Sequence, residues 1–98
     1  MEIWKKIKGF ENYEVSNLGE IRNFLTQKKS KLIYIKGRNL SVRLKYQYFH
    51  VGIIVARAFY ETPPLSIITS VSYKDTCFFN NNIENLIPII KSYDSINL

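Results

Sequence analysis

Hydrophobic and polar positions alternate with a period of two along much of the first half of the chain. The clearest run is Leu40–Lys45, where Leu40, Val42 and Leu44 fall on one side and Ser41, Arg43 and Lys45 on the other. This pattern predicts a strand with an apolar inner face and a basic outer one. Shorter strands are predicted at Ile3–Ile7, Tyr13–Val15, Glu20–Phe24 and Lys31–Lys36. Ser16-Asn17-Leu18-Gly19 and Gly37-Arg38-Asn39 read as the turns between them, since Asn and Gly tolerate left-handed backbone angles. The period changes between Phe49 and Tyr60. There Val51, Ile54, Val55, Ala58 and Phe59 mark one helical face, and Thr62-Pro63-Pro64 stops it. The expected fold class is α+β, a small antiparallel sheet with one amphipathic helix.

Composition narrows the class. A chain of 98 residues makes one compact domain, and 46% hydrophobic with 14% aromatic residues excludes disorder. No apolar run reaches the roughly 20 residues of a membrane span, and MEIWKKIKGF lacks the apolar core of a secretory signal. The single Cys77 excludes an internal disulfide and a cysteine zinc site. A soluble intracellular protein is expected, in host cytoplasm or nucleus if viral. Richness in Ile, Lys, Asn and Tyr points to an AT-rich genome of phage or viral kind.

The charge distribution says more than the net +6. Between Ile21 and Tyr60 stand nine basic residues and no Asp or Glu, whereas from Glu61 onward two basic residues face four acidic ones. A basic body suits a polyanion, because each neutralised phosphate releases counterions. The candidate nucleic-acid contacts are Arg22, Lys28, Lys29, Lys31, Lys36, Arg38, Arg43 and Lys45. The partner expected for them is a nucleic acid, and charge alone does not separate double-stranded DNA from RNA.

The order of residues in the first strand pair, W-x-x-I-x-G-F-E-x-Y-E-V-S-N-L-G-x-I-R-N from Trp4 to Asn23, resembles the NUMOD4 module of phage-type HNH homing endonucleases. Ile53-Ile-Val-Ala-Arg-Ala-Phe59 is similar to the helix that follows the sheet in that family, with Val55, Ala56, Ala58 and Phe59 matching. The family's helix His falls at Gly52, and His50 lies two residues earlier. His50 is expected to cap the helix or lie on the surface, so no catalytic role is assigned to it. The resemblance divides the chain into a NUMOD4-like sheet and helix at 1–60 and an HNH-like segment at 61–98, packed as one compact domain.

Asn80-Asn81-Asn82-Ile83-Glu84-Asn85-Leu86 reproduces the N-N-x-x-E-N-L end of the family's ββα-metal motif. Counting back, Val71 and Asp75 match the motif, Ser72 takes the metal-ligand position and Tyr73 the position of the His that activates water. The Gly of the family's D-G-N turn is replaced by Thr76, and Cys77, Phe78 and Phe79 stand where polar residues are usual. Asp94 falls where the helix-borne ligand belongs. A tyrosine is a poor base near neutrality and a serine hydroxyl a poor ligand for a hard cation.

These substitutions lead to the expectation of a remodelled, truncated ββα-like hairpin and a catalytically inactive nuclease. It would have no catalytic residues, no metal and no cofactor, and would bind nucleic acid electrostatically through a basic sheet face. A second reading is a viral protein-interaction factor, such as a host-defence inhibitor, with Tyr73, Phe78 and Phe79 as the surface for a host protein. A third is residual metal-dependent nuclease activity using Asp75 and Asp94. A homodimer is compatible with each.

Overall fold

The computed structural model describes residues 1–35, 39–77 and 79–96. Its organising element is the helix α1 (Val51–Phe59), which is flanked by three small antiparallel sheets. The first sheet holds β1 (Trp4–Ile7), β2 (Phe10–Ser16) and β3 (Ile21–Asn23) in that order. The second holds β4 (Ile33–Ile35), β5 (Asn39–Leu44) and β6 (Gln47–His50). The third is the hairpin of β7 (Ser66–Tyr73) and β8 (Leu86–Ser92), followed by the short helix α2 (Tyr93–Ile96). The α+β class therefore holds and β7–β8 is a hairpin as expected, but the one small sheet expected before the helix is two. Sheets of strands three to eight residues long around one short helix each cover a different side of it.

The core is made by Ile7, Val15, Ile21, Val42, Leu44, Val51, Val55, Ala56, Ile68 and Leu86, drawn from all three sheets and α1. Burial of each large member contributes about 1.5–3 kcal/mol. The buried face of α1 differs from the expected one: Val51, Gly52, Val55 and Ala56 are buried, while Ile54, Ala58 and Phe59 are half-buried. Gly52 and Ala56 lie one turn apart, and their small size lets a third layer approach the helix closely. Period alone found the residues that face the first two sheets and missed this side.

The C-terminal end of α1 is fastened to the third sheet. Arg57 donates from Nε and Nη2 to the Ile68 carbonyl at 2.9 and 2.7 Å, and Tyr60 Oη donates to the Leu86 carbonyl at 2.9 Å. Its N-terminal end follows β6 directly, a strand the sequence pattern did not reveal because the helix was expected from Phe49. On β5, Val42 and Leu44 are buried and Arg43 is exposed, as alternation requires. Ser41, expected on the open face, is 5% exposed. It pairs with His50, which lies beneath the loop that follows β7.

The turn Ser16-Asn17-Leu18-Gly19 is the junction between the first and third sheets. Ser16 is fully buried, and its Oγ accepts from the Leu18 and Glu20 amides at 3.2 and 3.1 Å. The Asn17 side chain accepts from the Ile3 amide at 2.7 Å, and its backbone carbonyl accepts from the Ile83 amide at 2.8 Å. Gly19 has φ +90°, and a Cβ there would stand 2.9 Å from Asn81 Cβ and 3.1 Å from its carbonyl oxygen. Two constraints thus coincide at Gly19, a left-handed backbone and a backbone neighbour that cannot yield. We expect Gly19→Ala to cost about 3 kcal/mol in denaturant unfolding, strain and overpacking together. Gly9→Ala, at φ +88° with nothing within 4 Å, should cost only the conformational part, about 1 kcal/mol.

Candidate functional site

The loop between β7 and β8 is built around one carboxylate. Asp75 Oδ1 accepts from the Cys77 amide at 2.8 Å and from Asn85 Nδ2 at 2.9 Å, and Asp75 Oδ2 accepts from Asn80 Nδ2 at 3.1 Å. Asn85 returns the contact, its Oδ1 accepting from the Asp75 amide at 3.1 Å and its Nδ2 donating to the Asn80 carbonyl at 2.9 Å. The Cys77 amide first, then Asn80 and Asn85, hold the Asp75 carboxyl below its ordinary pKa. Asp75, Asn80 and Asn85 therefore form the frame of the loop, and Asn82 caps the 3-10 turn Ile83–Asn85 that leads into β8. Thr76 sits at φ +60°, a left-handed conformation that a β-branched residue rarely adopts. The turn keeps the backbone that a glycine would favour, without the glycine.

Tyr73 is aimed inward. Its Oη donates to Asn81 Oδ1 at 2.8 Å, and burial, with Cys77 adding to it, raises its pKa further above the ordinary phenol value. A Cβ at Gly52 would lie 2.7 Å from Tyr73 Oη, 2.8 Å from Asn81 Oδ1 and 2.9 Å from His50 Cε1. The phenol thus occupies room that the missing side chain of Gly52 leaves over the start of α1. Asn81 is 3% exposed, and its Nδ2 has no hydrogen-bond partner among the described residues. His50 caps α1, its Nδ1 accepting from the Ile53 amide at 3.3 Å, and burial lowers its pKa. An acceptor at Nδ1 requires the neutral ring with its proton on Nε2.

The other singled-out residues are scattered. Ser72 is exposed on β7 opposite Ile87. Asp94 follows Ser92, which pairs with Ser66 at the far end of β7, so about 20 Å of strand separates it from Tyr73. Phe79 is 54% exposed, its ring stacked on Tyr34 at 5.7 Å between centroids. Phe78 lies outside the described residues, as do Lys36 and Arg38. Arg22 is committed internally, with Nε 2.9 Å from Glu14 Oε1 and its guanidinium 3.9 Å over the Trp4 ring. Lys29 stands 3.7 Å from Glu20. Lys28, Lys31, Arg43 and Lys45 are exposed. Charge counting along the sequence could not tell the paired cations from these, since Glu14 and Glu20 lie outside the acid-free run.

The HNH resemblance implies a divalent cation. Ser72 offers a neutral hydroxyl, Tyr73 turns its phenol to Asn81, and both Asp75 oxygens already accept hydrogen bonds. Among the described residues no group of three or more His, Cys, Asp or Glu gathers in one place. As arranged, these side chains do not fit a hard cation, which takes six or more oxygen ligands or a near-ideal octahedron.

Two substitutions probe this arrangement. Thr76→Gly should raise stability by about 1 kcal/mol by releasing the left-handed strain, read as a higher melting temperature. Gly52→Ala should lower stability by about 2 kcal/mol although alanine is the better helix former. In a Tyr73→Phe background, which removes the nearest atom, that loss should be about 1 kcal/mol smaller in a double-mutant cycle.

Comparison with known proteins places this geometry. Residues 2–53 match the NUMOD4 motif. An uncharacterized HNH endonuclease of Acanthamoeba polyphaga mimivirus is 42% identical over 86 residues, covering 85% of this chain and 26% of that protein. The HNH homing endonuclease I-HmuI, solved in a study of its DNA binding and cleavage, superimposes with a TM-score of 0.74 at 30% identity, over 97% of this chain and 55% of its own. The chain thus spans about a quarter and about half of these two proteins. The expectation of a chain that is not an enzyme is overturned by them. It rested on the side chains at Ser72 and Tyr73, whereas the scaffold beneath those positions is shared with proteins named as endonucleases. The chain belongs to the NUMOD4 family, on the scaffold of the HNH homing endonucleases with their viral members.

Proposed function

We propose that the protein acts on DNA as an HNH-type endonuclease, with residues 1–60 holding the duplex and residues 61–98 presenting the β7–β8 hairpin to its backbone. The observation that carries this reading is the superposition on I-HmuI, which extends over both segments rather than over the NUMOD4 part alone. Charge supports it independently. Arg43 and Lys45 are exposed on and just beyond β5, Lys28 and Lys31 are exposed after β3, and the surrounding stretch contains no carboxylate. Arg22 contributes by holding Glu14 and Trp4 in place rather than by reaching outward. In the hairpin, the Asp75–Asn80–Asn85 frame orients the loop, and Tyr73 holds its proton on the bond to Asn81. Binding through such cations is sensitive to salt and weakly selective for sequence.

The test joins binding and cleavage: purified protein with labelled duplex DNA at two salt concentrations, and with supercoiled plasmid with and without magnesium or manganese. We expect binding that falls steeply with salt and nicked plasmid under at least one of these conditions. Reversing Arg43 and Lys45 to glutamate should weaken binding to all sequences alike and flatten the salt dependence by about two counterions. Unchanged affinity in that variant would refute the basic grip, and intact plasmid under every metal condition would refute the nuclease assignment.

A further inference from the structure

We propose that Tyr46 is a wedge that stacks on a base at a deformable step of duplex DNA, an inference that rests on the reading of the protein as DNA-binding. Tyr46 sits at the tip of the β5–β6 hairpin. The strands remain paired to Leu44 opposite Gln47, so only Lys45 and Tyr46 make the connection. Lys45 closes it at φ +57°, a left-handed angle for a residue with a Cβ. A two-residue connection has no slack, and the tip is therefore a fixed projection rather than a mobile loop.

The ring at that tip is 90% exposed, whereas the next most exposed aromatic among the described residues, Phe79, is 54% exposed. The hairpin behind it is braced: Phe49 of β6 meets Phe10 edge-on at 5.1 Å between centroids, and Lys45 Nζ lies 5.6 Å over the same Phe10 ring. On the exposed face of the hairpin Arg43 pairs directly with Tyr48. The tip therefore carries an aromatic ring beside the cations Arg43 and Lys45, at the two-stranded end of the β4–β5–β6 sheet, a ribbon of the kind that enters a DNA groove. The exposed Arg43 behind the tip would sit at a phosphate while the ring reaches the stacked bases ahead of it. A wedge of this kind costs the unstacking of one step, which is least at pyrimidine–purine steps such as TA and CA.

The experiment uses the full chain and duplexes that carry 2-aminopurine at TA or CA steps in successive positions. Binding of the wild-type protein should raise 2-aminopurine fluorescence at one position, and Tyr46→Ala should abolish that rise. Tyr46→Ala should also weaken binding by about tenfold or more without changing its salt slope, while Tyr46→Phe keeps both signals. Arg43→Glu gives the opposite signature, a changed slope. If Tyr46→Ala binds as wild type and no position brightens, the wedge is refuted while the proposed DNA binding stands. If the wild-type protein binds no duplex at either salt concentration, both are refuted.

Discussion

The seating of the Asn81–Ile83 backbone on the Ser16–Gly19 turn is the contact on which the rest of the molecule depends. The Ile83 amide reaches the Asn17 carbonyl, and Asn81 lies against Gly19 at a distance no side chain could share. Through this contact the loop of the third sheet is positioned by the first sheet, although more than sixty residues separate them along the chain. Ser16 makes the turn self-sufficient by satisfying two of its amides with one buried hydroxyl. The turn is then free to offer its remaining carbonyl outward. A buried backbone group left without a partner would cost about as much as a lost hydrogen bond, and here the two segments answer each other.

Around that junction α1 acts as a shared wall. A nine-residue helix cannot bury its surface alone, and none of the three sheets is large enough to make a core by itself. Each sheet supplies one or more fully buried aliphatic side chains, and Val51, Val55 and Ala56 close the space between them. The small residues Gly52 and Ala56 decide how near the third sheet comes. Arg57 and Tyr60 then fasten that sheet through the carbonyls of Ile68 and Leu86. Such bonds to strand carbonyls hold orientation as well as distance.

The nuclease-like hairpin shows a division between frame and side chains. Asp75, Asn80 and Asn85 exchange hydrogen bonds that hold the loop, and a threonine keeps the left-handed turn. Beside this frame, Tyr73 is tied to Asn81 over the space that Gly52 leaves. The two positions where the family resemblance leads one to expect histidines, Gly52 and Tyr73, form one packed pair, and a change at either is felt at the other. The cation-bearing surface lies elsewhere, on and near β5 and after β3, where charge can face solvent at no cost in desolvation.

The sequence by itself determined the local structure, because its signals are local. Alternation found β5 and its exposed Arg43, the Ser16–Gly19 turn carried its own chemistry, and the prolines after Thr62 ended α1. The Asn80–Leu86 motif likewise identified a loop whose bonds run mostly between near neighbours. Its inference that altered side chains at 72 and 73 meant no enzyme failed, since two identities say less about activity than a scaffold shared with endonucleases. Only the tertiary structure decided that the strands before the helix form two sheets rather than one, that Ser41 is covered, and that Arg22 is spent on Glu14 and Trp4. It alone brought Gly52, Tyr73, Asn81 and His50 together. The physical reason is common to all of these: they depend on which segments distant in the chain come into contact, and period, propensity and charge along a sequence carry no record of that.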